Sequence, residues 1–255
     1  MNRRVLAIGA HPDDVEFMMA GTLLMLARAG YEPHIFVVAS GSCGSATDDR
    51  DAVVRARLSE AQAAAAMLGA QFHRPVTDDL EVLYSLPLLR KMAAVVRQAR
   101  PHIILTHSPN EYMEDHSNTC RLAVTAAFSR GMRNFITDPE TPPVNNSVTL
   151  YHALPYGLCD PFGKPVTPDL YVNIADALEM KRKALGCHAS QKRWLDESQG
   201  LDSYLQAMED MSREVGEWSE RYAAAEGWRR HSHLGFCDLG SDPLCAALGE
   251  DVCSA

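Results

Sequence analysis

The stretch Val5-Leu6-Ala7-Ile8-Gly9-Ala10-His11-Pro12-Asp13-Asp14 decides how the fold is read. An apolar run leads straight into a histidine and two carboxylates. Pro12 fixes φ and has no N–H to give a ladder, so a strand cannot continue through it. The chain must turn just as His11, Asp13 and Asp14 arrive. In open α/β sheets, ligands gather outside the carboxyl ends of the strands. Imidazole plus carboxylate is a donor set that zinc accepts, and a carboxylate beside a metal can take up a proton.

Outward from this stretch, strand-like runs alternate with helical patterns. Val15 to Arg28 carries Phe17, Met18, Leu24, Met25 and Leu26 at helical spacing and closes at Gly30. His34 to Ser40 is β-branched and apolar, and so reads as a buried strand. A polar loop over 41–51 precedes an alanine-rich helix, Asp51 to Leu68. Phe72 to Val76 is a weak strand, and Leu86 to Ala99 is a helix stopped before Pro101. His102 to Thr106 is a strong strand ending at His107-Ser108-Pro109-Asn110, and Ser117 to Arg130 is a helix ending at Gly131. This rhythm predicts an α/β fold: a Rossmann-like, mainly parallel sheet with helices on both faces.

The second half is less regular. A Pro-, Asn- and Thr-rich loop over 137–147 is followed by strand-like Val148 to Leu154 and Leu170 to Ile174. Ala175 to Ser190 and Leu201 to Ala225 read as helices. The final fifteen or so residues show no clear pattern and are expected to be mobile. No repeat or linker divides the chain, so residues 1–255 are expected to form one domain. The pair Met18-Met19, with Met208 and Met211, reads as core packing.

Composition narrows the function. A formal net charge of -9 argues against a nucleic-acid partner, because phosphate binding needs a basic surface. No apolar run approaches the roughly 18 residues of a membrane span. The opening Met1-Asn2-Arg3-Arg4 reaches polar residues too soon for a signal peptide. Seven cysteines form no C-x-x-C pair, which suits free thiols in a reducing compartment. The expected location is cytoplasmic. The loop over 41–46 lacks Gly-Lys-Ser/Thr, so it is not a nucleotide P-loop.

Two distant segments share one structural position. His11, Asp13 and Asp14 follow the first strand. Asp115 and His116 follow the strand ending at Thr106 and sit just before the helix that starts at Ser117. If both strands are central and parallel, both loops open on one sheet edge. His11, Asp14 and His116 can then converge as three ligands with an open position, the pattern of a catalytic zinc site rather than a structural one. Zinc lowers the pKa of a bound water to about 7. Asp13, diverging from Asp14, can lie beside that water and accept its proton.

This combination resembles the LmbE/PIG-L family of zinc-dependent N-deacetylases. The resemblance rests on Ala10-His11-Pro12-Asp13-Asp14, Glu16, Gly21-Thr22, Arg57-Leu58-Ser59-Glu60 and Asn110-Glu111-Tyr112-Met113-Glu114-Asp115-His116. Lys183-Ala184-Leu185 and His188-Ala189-Ser190-Gln191 extend it to roughly residues 4–236. It implies His11, Asp14 and His116 as ligands of one Zn2+ per chain and Asp13 as general base. It implies a Rossmann-like sheet that holds no dinucleotide. It further implies hydrolysis of the amide of an N-acylated amino sugar or glycoside with release of acetate, and a homo-oligomer.

One position departs from that pattern. Many members carry His-Pro-Asp-His in the second motif, and here its first histidine is Met113. A thioether neither donates a proton nor stabilises an oxyanion well. Glu114, His107, His188, His231, His233 or a twice-used Asp13 are the candidates for the acid.

Three further residues are candidate substrate contacts. Family members direct an arginine at the position of Arg57 toward the substrate, although Arg57 and Glu60 also suit a simple helical ion pair. His107 ends a strand and is read as lining the pocket. His188 lies one turn from Gln191 and suits either pocket lining or buried polar packing. His231 and His233 read as a surface or oligomer contact. Two other functions stay open beside deacetylation: a zinc-dependent hydratase or lyase on a carboxylated unsaturated substrate, and a metal- or sugar-binding protein without catalysis.

Overall fold

The computed structural model of the protein describes residues 3–199 and 204–255. Its first half runs β1 (Arg4–Gly9), α1 (Asp14–Met18), α2 (Ala20–Arg28), β2 (Glu32–Val37), α3 (Arg50–Met67), β3 (Gln71–His73), α4 (Leu86–Ala99), β4 (Ile103–Thr106) and α5 (Glu114–Phe128). The second half runs β5 (Thr149–Ala153), β6 (Leu170–Asn173), α6 (Leu178–Leu185), α7 (Ala189–Gln199), α8 (Tyr204–Trp218), β7 (Ala225–Arg230), α9 (Pro243–Leu248) and β8 (Val252–Ser254). Among the described residues, no helix is long and apolar enough to cross a membrane.

All eight strands form one sheet in the order β3-β2-β1-β4-β5-β7-β6-β8. The first five in this order are parallel to one another. β7 runs antiparallel to β5 and β6, and β8 antiparallel to β6. The sheet is therefore mixed, which corrects the mainly parallel expectation for its last three strands. β1 has β2 on one side and β4 on the other, so the chain's crossovers leave β1 in opposite directions. That is a topological switch point, where the loops after β1 and β4 part and leave a crevice.

Strand alternation builds a core on each face. Leu6, Ile8, Phe36 and Ile104 pack with Met92 and Val96 of α4 and Leu122 and Ala126 of α5. Val5, Ala7, Ile35 and Leu105 pack on the other face with Leu23 and Leu26 of α2, Leu185 of α6 and Met208 of α8. Met19 and Met208 are fully buried, as their reading as core requires.

Several expected elements differ. The continuous helix expected over 15–28 breaks at Met19 (φ -134°). Both oxygens of the buried Glu226, on β7, accept from the backbone of α2's first turn: Oε1 from Gly21 N at 2.8 Å and Oε2 from Thr22 N at 2.7 Å. A carboxylate there satisfies orphan N–H groups and complements the helix dipole. Lys181 neutralises it at 2.6 Å. A Cβ on Gly21 would meet Ile174 at 2.6 Å and Glu226 at 2.8 Å, which explains the glycine. Thr22 Oγ1 accepts from Trp228 Nε1 at 2.8 Å.

The helix expected over 175–190 is split at Gly186–His188 into α6 and α7. The helix expected over 201–225 begins, among described residues, at Tyr204 and ends at Trp218; positions 201–203 lie outside the described residues. β7 was not legible because Glu226, Gly227 and Arg229 interrupt any apolar run. The C-terminal residues form α9 and the edge strand β8 instead of an unpatterned tail.

One pair of histidines gives the fold a pH dependence. His34 Nδ1 and His73 Nε2 lie 3.0 Å apart on neighbouring strands. Burial, then the charge of His34, lowers His73 from its ordinary value to about 4. Between pH 6.5 and 4 the unfolded chain takes up a proton that folded His73 refuses, so stability falls as pH drops through that window. The loss is up to about 3 kcal/mol. Chemical denaturation at pH 7 and pH 4.5 is expected to show a smaller loss for His73→Asn than for wild type. An equal loss in both would remove His73 from the account.

Candidate metal centre and active site

The turn after β1 is held in an uncommon conformation. Asp13 has φ 108°, outside the region most side chains adopt. Such a residue costs on the order of 1–3 kcal/mol and persists only when its surroundings over-determine it. Here they do. Phe17 N donates to Asp13 O at 2.8 Å. Asp14 Oδ2 accepts from His11 N at 2.6 Å. The buried Arg57, from α3, donates through Nη2 to Pro12 O at 2.5 Å.

His11 and Asp14 from this turn meet His116 from α5. Ligand atoms of the three lie within 4.8 Å of one another. His116 Nε2 is 3.4 Å from Asp14 Oδ1, and His11 Nδ1 is 3.6 Å from Asp14 Oδ2. α5 starts at Glu114, not Ser117, so Asp115 and His116 lie inside its first turn rather than before it. There two carboxylates complement the helix dipole.

Each imidazole has a carboxylate behind it. His11 Nε2 lies 2.9 Å from Asp115 Oδ2, which also accepts from Leu80 N at 2.8 Å. His116 Nδ1 faces Glu111 Oε2 at 3.6 Å. A carboxylate behind a ligating histidine fixes its tautomer and orientation and raises its basicity. Glu111 and Asp115 belong to the second motif, and only the folded loop gives them a role.

The electrostatics fit a cation. Burial opposes a charged His11, yet the hydrogen bonds to Asp115 and Asp14 override it and raise the imidazole to about 10. Burial likewise opposes the Asp14 charge, but the facing His116 and its neighbours hold that carboxyl well below the usual range. Two nitrogens and one carboxylate, with an open side toward a cavity, are a donor set that zinc takes. A second group, His107, Glu111 and His116, is buried, and of its members only His116 lines the cavity. His107 Nε2 accepts from Ala10 N at 2.9 Å, which occupies that lone pair.

Asp13 is not one of the three grouped ligands; it lines the same cavity and is held by two other partners. Tyr204 of α8 donates its hydroxyl to Asp13 Oδ2 at 2.6 Å. Arg57 Nη2 stands 3.5 Å from Asp13 Oδ1. Burial pushes the Asp13 carboxyl up, while Arg57 pulls it back. Tyr204 fell in a stretch read only as helix, and no local signal ties it to Asp13. Tyr204→Phe is expected to lower kcat by roughly 3–30-fold with little change in KM, since it loosens the acceptor through one hydrogen bond to a charged group. A KM rise at constant kcat would instead make Tyr204 a binding residue.

These side chains open on a cavity of about 390 Å³. His11, Asp13, Asp14, Arg57 and His116 all line it, as does Gln191. Arg57 does not pair with Glu60, whose carboxylate instead accepts from Ser190 N at 2.9 Å and Ser190 Oγ at 2.5 Å. Gly41 and Gly44 pack on Arg57; a Cβ on either would approach its side chain to 2.6 Å.

His107 and His188 are not on the cavity wall. His107 has no exposed surface and sits behind Asp14, at 3.2 Å from Oδ2. His188 is buried beside Glu16 at 3.4 Å, with Glu16 Oε2 drawing the imidazole upward against its burial. Met113 does line the cavity, while Glu114 is exposed outside it.

A family model described as GlcNAc-PI de-N-acetylase (PIG-L) matches residues 6–127. The diacetylchitobiose deacetylase of Thermococcus kodakarensis is 27% identical over 197 residues, covering 74% of this chain and 70% of that protein. The 1D-myo-inositol 2-acetamido-2-deoxy-alpha-D-glucopyranoside deacetylase of Rhodococcus opacus is 26% identical over 239 residues, covering 74% of this chain and 82% of that protein. Among solved structures, the 4-carboxy-2-hydroxymuconate hydratase of Pseudomonas putida shares the fold with TM-score 0.76 at 20% identity, covering 94% of this chain and 99% of that one. Both motifs that build the centre fall inside residues 6–127, the span that the PIG-L (LmbE) family model matches.

Proposed function

We propose that the protein is a zinc-dependent hydrolase that removes an acyl group, acetyl in the first instance, from the nitrogen of an amino-sugar-like small molecule. The observation that carries this reading is the meeting of His11, Asp14 and His116 with the buried carboxylate of Asp13 on one cavity. The deacetylase relatives, matched over most of their length, support the same chemistry.

His11, Asp14 and His116 are the residues that would hold zinc, which when bound lowers the pKa of water and polarises an amide carbonyl. Asp13 takes the proton as water attacks the amide carbon. Its burial favours the protonated form and so makes it a better acceptor than an exposed aspartate. Arg57 and Tyr204 orient it. The amine must then be protonated as the C–N bond breaks. Met113 cannot do this, and His107, Glu114, His188, His231 and His233 are not among the residues that line the cavity. Asp13 is left to return the proton it took, acting first as base and then as acid.

Met113 also favours a second reading, because hydration of a carboxylated alkene expels no amine and needs no acid at that position. The two are separated by assaying zinc-loaded protein against a panel of N-acetylated amino sugars and their glycosides, following acetate. Acetate release supports the hydrolase. Loss of alkene absorbance from an unsaturated carboxylate, with no acetate from any sugar, would replace it with the hydratase. We further propose one zinc per chain, a homo-oligomer and a reducing cytoplasmic setting, in keeping with seven free cysteines.

A further inference from the structure

A second cavity, of about 510 Å³, lies between α5 and the end of β7. It shares no lining residue with the catalytic cavity. Its wall carries three arginines, Arg121, Arg229 and Arg230, and two histidines, His152 and His231; among the described residues, no carboxylate lines it. The chain as a whole carries 33 acidic residues against 24 basic ones, so three guanidiniums around one acid-free cavity run against the composition.

The fold places these groups deliberately. In the antiparallel pairing of β5 and β7, His152 stands opposite Arg229, so both project from the same face of the sheet. Arg121 reaches the cavity from α5, and its guanidinium lies 4.8 Å from the centre of the Tyr84 ring. Arg229 donates from Nη2 to Ser108 Oγ at 2.7 Å, but its Nε is buried with no hydrogen-bond partner among the described residues. Arg230 is more committed, with Nη1 donating to Ser241 O at 3.1 Å and lying 3.5 Å from Asp242. His231 Nδ1 and His152 Nε2 lie 3.0 Å apart. A buried guanidinium N–H without an acceptor is costly, and like charges that line one cavity repel. An oxyanion in the cavity offsets that repulsion, and guanidinium forks match carboxylate and phosphate geometry.

We propose that this cavity is a binding site for a small oxyanion ligand, a carboxylate- or phosphate-bearing molecule, held by Arg121 and Arg229 with Arg230 and His231 at its margin. The cavity is of small-molecule size and the chain's net negative charge disfavours nucleic acid. The site is independent of the reaction run at the metal centre.

Isothermal titration of the zinc-loaded protein with inorganic phosphate and, separately, succinate tests this. Ionic strength is held constant with sodium chloride. Wild type is expected to bind one or both, and the preferred probe identifies the oxyanion class. Arg121→Gln and Arg229→Gln are each expected to weaken that binding by about tenfold or more, because each removes a charge-assisted hydrogen bond. Arg121 is exposed, so its variant keeps the test valid if Arg229→Gln fails to fold. Equal affinity in wild type and both variants would put the anion on the metal centre and overturn the proposal, and so would the absence of binding by either probe. Sedimentation of the same samples adds a third outcome. Arginine variants that dissociate an oligomer yet bind the anion normally would assign this face to contacts between copies.

Discussion

Asp13→Asn is expected to keep zinc bound and to lose turnover by about 10²–10⁴-fold, the usual contribution of a positioned general base. The substitution is nearly isosteric. Asparagine tolerates the positive φ that this position requires, so the turn survives. Its amide oxygen can still accept from Tyr204, and His11, Asp14 and His116 are untouched. What disappears is the capacity to take a proton from water and return it to the amine. Acetate release, measured beside the zinc content of the same sample, checks this. Unchanged turnover at full zinc occupancy would sink the assignment of Asp13 as base. Loss of zinc along with turnover would instead show that Asp13 holds the metal.

Asp14→Ala is expected to release zinc and take activity to background, whereas His107→Gln is expected to retain zinc. The contrast matters because His116 belongs to both donor groups that the fold assembles. All three members of the group containing Asp14 line the cavity, whereas His107 and Glu111 of the other do not. Between these extremes, Glu111→Gln and Asp115→Asn should each weaken zinc by about 10–100-fold, the usual cost of losing a carboxylate behind a ligating histidine. Metal titration with a competing chelator measures all four. Retention of zinc by Asp14→Ala together with its loss from His107→Gln would move the centre to the buried group.

Part of this site is legible in the chain because the signal is local. Pro12 after an apolar run fixes where β1 stops, and that alone puts His11, Asp13 and Asp14 at a strand's carboxyl end. Asp115-His116 repeats the arrangement after β4. Two parallel neighbours then leave one place for the two loops to meet. The sequence reading extended too far at His107 and His188. Both lie beside chemistry-bearing segments, but packing turns them inward, behind Asp14 and against Glu16.

What stayed hidden depends on contacts between residues far apart in sequence. Tyr204 meets Asp13 across 191 positions and Glu226 caps α2 across 205. No window of sequence contains either pair. The same reason explains the misread second half. β7 has little apolar periodicity because a buried Glu226 serves a helix and Arg229 faces a cavity, so it looks unlike a strand until its neighbours are in place.

The sequence by itself therefore determined the α/β alternation, the two strand-end motifs and the ligand types they offer, because hydrophobic period and proline chemistry act within a few residues. The tertiary structure decided the antiparallel half of the sheet and which histidines face the cavity. It also decided which carboxylate stands behind each imidazole and what holds Asp13, because those are fixed by packing and hydrogen bonds between segments that meet only when the chain is folded.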